Sequence, residues 1–173
     1  SLASDNSTIA VTFSEAVYTT TDASSALVVG DFAFSISGGT ATLSSATPSS
    51  ISISGNVYTL GISLSGTPDG SETLTVNPAS ATAIYDIGSN AAAASQSNNT
   101  ATLNDQTAPT VSSVTSSTTD GIYKAGDEIA ITVTFSESVT VTGTPQFTLE
   151  TGSSDAVVGY SSGSGGTTLT FNY

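Results

Sequence analysis

Apolar residues in this chain recur at every second position. The alternation is clear in residues 9–13, 58–64, 129–135 and 169–173. A side-chain period of two is that of a β-strand with one face buried, and it cannot be matched by a helix. Threonine fills many of the intervening positions and suits the exposed face of a pleated strand because it is β-branched. The sequence therefore predicts an all-β fold.

Turn signals separate the alternating runs. Glycine-containing turns fall at 38–39, 55–56, 68–70, 120–121 and 163–166. Residues 54–57, with the sequence Ser-Gly-Asn-Val, lie between two runs and predict a tight hairpin. Short strands with regular turns are typical of an antiparallel β-sandwich.

The composition fits the exposed face of such a sandwich. The chain has 173 residues, of which 32 are serine and 30 threonine, and its formal net charge is −13. A hydroxyl-rich chain with charge of one sign is also typical of disorder, but disorder requires no alternation of apolar residues. The alternation favours a folded chain whose wet face is built from Ser and Thr.

Missing residue types exclude several classes of function. The chain has no His and no Cys, which excludes the common catalytic triads, zinc sites and thiol nucleophiles. Lys124 is its one basic residue, so nucleic-acid binding is not expected. Membrane insertion is not expected either, because no apolar run approaches the ~20 residues of a membrane span.

An internal repeat divides the chain. Residues 8–17 (TIAVTFSEAV) and 130–139 (AITVTFSESV) agree at seven of ten positions. Between them lies a short polar connection that Pro109 stiffens. We expect a first domain over residues 1–106, without its first strand, and a second over residues 107–173. The second is expected to be incomplete, because a sandwich of this kind needs ~100 residues.

The repeated segments, together with four further stretches, resemble bacterial Ig-like repeats. The further stretches are 107–111 (TAPTV), 120–129 (DGIYKAGDEI), 143–149 (GTPQFTL) and 160–171 (YSSGSGGTTLTF). Such repeats occur in tandem in large secreted adhesins, surface-layer-like proteins and extracellular fibres. The resemblance implies two tandem immunoglobulin-like antiparallel β-sandwiches, the second incomplete. It also implies a secreted, non-enzymatic role at the cell surface.

Two functions are compatible with this resemblance. The first is a structural spacer or stalk whose partners are neighbouring repeats, with self-assembly into fibres by strand complementation at open sheet edges. The alternative is an adhesin segment that binds a glycan or a partner-cell surface directly. Glycoside hydrolysis needs two facing carboxylates, and Glu15, Glu72, Glu137 and Glu150 lack an accompanying aromatic cluster.

Four carboxylates are candidate Ca²⁺ ligands. Residues 104–109 (NDQTAP) are similar to the calcium-binding linker of cadherins, which makes Asp105 the first candidate. Glu137 is expected to follow the strand that returns to this junction, and Glu15 holds the same place in the first domain. Asp86 begins a loop expected at the same end as Glu15. The alternative is that these carboxylates are solvated and shape turns.

Two triplets, residues 6–8 and 98–100, match the acceptor pattern for N-glycosylation. A chain this rich in Ser and Thr also contains such triplets by chance.

Overall fold

The computed structural model describes residues 1–173. Its secondary structure is antiparallel β-strand with one 3-10 turn, Val29–Asp31, and no α-helix. No helix long and apolar enough to cross a bilayer is present. The predicted all-β class is confirmed, and the sheets are compatible with a β-sandwich.

The chain divides into two compact units, Ser1–Thr107 (unit 1) and Ala108–Tyr173 (unit 2). Unit 1 contains the strands β1 Thr8–Thr12, β2 Val17–Tyr18, β3 Phe32–Ser37, β4 Thr42–Leu43, β5 Ile51–Ser54, β6 Val57–Gly61, β7 Leu64–Ser65, β8 Thr73–Pro78, β9 Tyr85–Asp86 and β10 Thr100–Thr102. Unit 2 contains the strands β11 Val111–Ser116, β12 Ala130–Val139, β13 Gln146–Leu149, β14 Ala156–Ser162 and β15 Gly166–Asn172.

Unit 1 contains two three-stranded antiparallel sheets, in the orders β1-β6-β5 and β10-β8-β3. Two short pairs, β2-β9 and β4-β7, complete it. Ser54 pairs with Val57 across the turn between β5 and β6, which confirms the predicted hairpin. Its Gly55 has φ of +57°, a conformation that glycine adopts without a steric penalty.

The two larger sheets of unit 1 share one hydrophobic core. Its members come from both sheets and the connecting loops, and they include Ile9, Phe34, Leu60, Leu74 and Leu103. The Phe13 and Tyr58 rings meet edge to face with centroids 5.4 Å apart, across the β1-β6 pair. The residues that alternate in the sequence are therefore those that β1, β3, β6 and β8 bury.

Unit 2 has five strands in the order β11-β12-β15-β14-β13. Its fully buried residues are Val133, Val158, Leu169 and Phe171. β12 pairs with β15 from Ala130 to Thr134, and after a register shift Val139 pairs with Gly166. The expectation that Glu137 comes directly after this strand is wrong. The pairing of Val139 with Gly166 extends β12 to Val139, so Glu137 lies within the strand.

Candidate functional site

Unit 1 contains a cleft of about 830 Å³ between β1 on one side and β8, β9 and β10 on the other. Its floor is apolar and includes the buried residues Phe32, Val76 and Ile84. Val11 of β1 and Phe13, which follows that strand, line it and are only half-buried. A volume of this size is within the range of ligand sites in proteins, roughly 300–1,000 Å³.

Amide side chains line the opposite wall of the cleft. Asn99 Nδ2 donates to Asn77 Oδ1 at 2.6 Å, which joins the start of β10 to the end of β8. Gln96 Nε2 donates to the carbonyl of Ala93 at 2.8 Å, and Asn98 is exposed. These groups donate and accept hydrogen bonds without carrying charge.

Two of the predicted site residues, Glu15 and Asp86, lie at this cleft. Val17, two residues after Glu15, pairs with Asp86 across β2 and β9. Asn90 donates to the Asp86 carboxylate from its side chain and from its backbone, both at 2.8 Å. These bonds favour the ionised form and lower the pKa of Asp86, the side-chain bond most. The Asp86 carboxylate is thus occupied by Asn90 of the same loop, whereas Glu15 is exposed.

The other two predicted ligands belong to different units. Asp105, in unit 1, accepts the backbone N–H of Thr107 at 2.8 Å, which shapes the turn after Asn104. Glu137 lies in β12 of unit 2. Neither unit brings together three or more carboxylates in a group that could hold a metal. The junctional Ca²⁺ site therefore stays a prediction.

The chain matches no protein-family model, no curated protein and no solved structure. The chemistry of the cleft therefore rests on its own residues. The cleft combines an apolar floor, a wall of amides and two carboxylates, and no cationic side chain lines it. Such a surface favours uncharged groups and disfavours anions.

Glu72 has a role that sequence reasoning missed. It was a candidate acid for glycoside hydrolysis, but its side chain is fully buried. Its Oε1 accepts the backbone N–H groups of Thr40 and Ala41 at 2.9 Å each, and Asp69 N–H bonds both oxygens. The carboxylate therefore holds two turns together. The sequence signal for this role was the Gly38-Gly39 pair. Because Gly39 has no side chain, the Glu72 carboxylate can lie against the backbone there.

Proposed function

We propose that the chain is a structural repeat module of a long extracellular bacterial surface protein or filament, in which it acts as a spacer. The observation that carries this proposal is the placement of the internal repeat. Residues 8–17 and 130–139 supply β1 and β12, and each strand contributes a buried residue, Ile9 or Val133, to the core of its own unit. Two units built on related strands are what a tandem array requires.

The surface chemistry supports the same proposal. Ser and Thr cover the exposed faces, and a net charge of −13 keeps neighbouring chains soluble and apart. A single Lys leaves trypsin-like proteases almost no cleavage site, which suits a chain outside the cell. The Ig-like class of both units, and completion of open edges by neighbouring subunits, belong to this proposal.

The spacer proposal is tested by joining increasing numbers of copies of the chain in tandem. Small-angle X-ray scattering then gives the longest dimension of each protein. A spacer adds a constant length with every copy, because successive modules do not collapse on one another. If the longest dimension grows no faster than that of a single compact particle of the same mass, the proposal is contradicted.

The cleft favours a second candidate function, direct binding of a neutral glycan. Amide side chains such as Asn77 and Asn99 suit sugar hydroxyls, and two carboxylates with no Lys or Arg beside them disfavour acidic sugars. An array of neutral oligosaccharides tests it, with the Asn77→Ala variant as the control that should lose any signal. Binding that persists in this variant, or no binding at all, would remove the cleft as a glycan site.

A further inference from the structure

The segment that follows β10 stays attached to unit 1 as far as Thr107. Leu103 is buried, and its backbone N–H donates to the carbonyl of Glu72 at 2.9 Å. Residues 104–107 come next and contain no helix or strand. They are nevertheless held by hydrogen bonds to two distant parts of unit 1, at Asn6 and at Pro68.

Asn6 holds the first residue of this segment. Its Nδ2 donates to the Asn104 carbonyl, and its Oδ1 accepts the Asn104 N–H, so the Asn6 amide bonds both backbone groups of that residue. Asn6 has φ of +59°, a left-handed conformation that asparagine adopts more readily than most residues. Because Asn6 is buried, water competes little for these two bonds.

The carbonyl of Pro68 holds the end of the segment. It accepts the backbone N–H of Gln106 at 2.9 Å and the hydroxyl of Thr107 at 3.0 Å. Asp105 lies close to Gly70, since a β-carbon on that glycine would come within 3.2 Å of the Asp105 Cβ. The segment therefore lies against the turn that precedes β8.

Unit 2 holds the chain again at Thr110. The Thr110 N–H donates to Ser136 Oγ at 3.0 Å, and the Thr110 carbonyl accepts the Ser136 N–H at 2.8 Å. Ala108 and Pro109 lie between the two sets of bonds, and both are exposed. The proline ring fixes its own φ near −65° and confines the preceding residue to extended conformations. Few backbone angles between Thr107 and Thr110 can therefore vary freely.

We propose that Asn6 and the Pro68 carbonyl form a linker clamp, which makes residues 104–107 a fixed part of unit 1. Flexibility of the connection is then confined to Ala108 and Pro109. Without the clamp the flexible connection would also include residues 104–107, and the distance that a flexible segment spans varies more as its length grows. The inference deepens the spacer proposal and takes its purpose from it, because a spacer of constant length needs short connections.

The clamp consists of amide, hydroxyl and carbonyl groups and requires no bound ion. Asp105 Oδ1, expected from the sequence to bind Ca²⁺, accepts the Thr107 N–H at 2.8 Å and adds to the order of the segment. Residues 104–107 are therefore expected to be rigid in the presence of a calcium chelator.

Backbone order parameters from ¹⁵N NMR relaxation test the clamp in the unmodified chain, with chelator present. Asn104 to Thr107 are expected near 0.85, the value of rigid backbone, and Ala108 is expected to have the lowest value of the connection. Values below about 0.6 at residues 104–107 would overturn the proposal. Order that develops only when calcium is added would also overturn it, because the ion would then hold the segment.

Asn6→Gly removes the amide bridge without straining the backbone, because glycine adopts φ of +59° freely. The order parameters of Gln106 and Thr107 are expected to fall below about 0.6, although their own hydrogen bonds go to Pro68 and Asp105. Ala23→Gly is the matched control, because Ala23 has φ of +56° and a side chain that cannot form hydrogen bonds. Unchanged order in Asn6→Gly, or equal losses in both variants, would contradict the clamp.

Thr107→Val tests the contact with Pro68 and decides the question if Asn6→Gly unfolds unit 1, which a loss of order throughout β6 would reveal. Valine lacks the hydroxyl that donates to Pro68, so the order parameter of residue 107 should fall. Thr110→Val is the matched control, because Thr110 bonds Ser136 through its backbone N–H and C=O. Equal order at residue 107 in both variants would count against the clamp. The dimensions of covalently joined copies are a separate measurement, so the spacer function can fail while the clamp stands.

Discussion

Ala41 and Glu72 are both buried, and the backbone N–H of Ala41 donates to the Glu72 carboxylate at 2.9 Å. The one Lys of the chain belongs to unit 2, so no side-chain cation of unit 1 balances this charge. Backbone amides of Thr40, Ala41 and Asp69 stabilise it instead. Glu72 therefore joins the turn before β4 to the turn before β8.

Glu72→Gln should destabilise unit 1. The glutamine side chain has almost the same shape, but its NH₂ group, in the place of Oε2, faces the Asp69 N–H and has no acceptor. Leaving buried donors unsatisfied costs about 1 to 3 kcal/mol of the free energy of unfolding. Urea unfolding followed by NMR signals of unit 1 measures this loss. Glu15→Gln removes an exposed carboxylate and should change stability little, so equal effects would contradict a structural role for Glu72.

Acid should destabilise unit 1 through the same carboxylate. Burial alone would raise the pKa of Glu72, but the amides of Ala41, Asp69 and Thr40 outweigh it and hold the pKa below its ordinary value of 4.5. A depressed pKa stabilises the fold above the unfolded value, and this stabilisation is lost as the pH falls through the folded value. Between about pH 6 and about pH 3, the unmodified chain should lose more unfolding free energy than Glu72→Gln. Equal losses would exclude Glu72 as the source.

Gly39→Ala should be more destabilising than Gly55→Ala. The two glycines have nearly the same φ, +58° and +57°, so both substitutions strain the backbone, by about 1 to 2 kcal/mol. A β-carbon at Gly55 meets no other atom within 4 Å, whereas one at Gly39 would overlap the Glu72 carboxylate. The pair therefore separates backbone strain from displacement of Glu72. Equal unfolding free energies for the two variants would show that the carboxylate moves aside without cost.

Asn6→Asp should destabilise unit 1, because Asn6 is only 1% exposed and bonds both backbone groups of Asn104. Its Nδ2 donates to the Asn104 carbonyl at 2.8 Å, and its Oδ1 accepts the Asn104 N–H at 2.9 Å. The substitution places a carboxylate oxygen against that carbonyl, and we expect a loss of about 2 kcal/mol or more. Asn98→Asp makes the same change at an exposed site and should stay within about 0.5 kcal/mol. Urea unfolding measures both losses. Similar losses of unfolding free energy in the two variants would contradict a structural role for the hydrogen bonds between Asn6 and Asn104.

The strands were predictable because their signal is local. The alternation around Ile9 or Leu60 reports directly which side of β1 or β6 faces the core, and the turn at 55–56 defines the hairpin between β5 and β6. Asp86 was expected at the same end of the domain as Glu15; both residues line the cleft, and Val17, two residues after Glu15, pairs with Asp86.

The remaining features depend on residues distant in sequence. The cleft exists because β1 and β10 lie on opposite sides of it, and no local pattern places Phe13 near Asn99. Burial of Glu72 depends on amides about thirty residues earlier in the chain. Asn6 reads as a glycosylation acceptor, but its side chain is buried against Asn104, so the folded unit offers only Asn98 to a modifying enzyme.

Calcium is expected to raise the melting temperature if Asp105 or Glu137 is a metal ligand, as the sequence predicts. Carboxylate and carbonyl oxygens are the ligands that Ca²⁺ prefers, and a bound ion adds stability in proportion to the logarithm of its concentration. Melting curves with calcium and with chelator should then differ by several degrees. The difference should disappear in Asp105→Asn and in Glu137→Gln but persist in Glu150→Gln, the matched control. Melting temperatures that are unchanged by calcium would remove both residues as metal ligands and leave Asp105 as the residue that shapes the turn at Thr107.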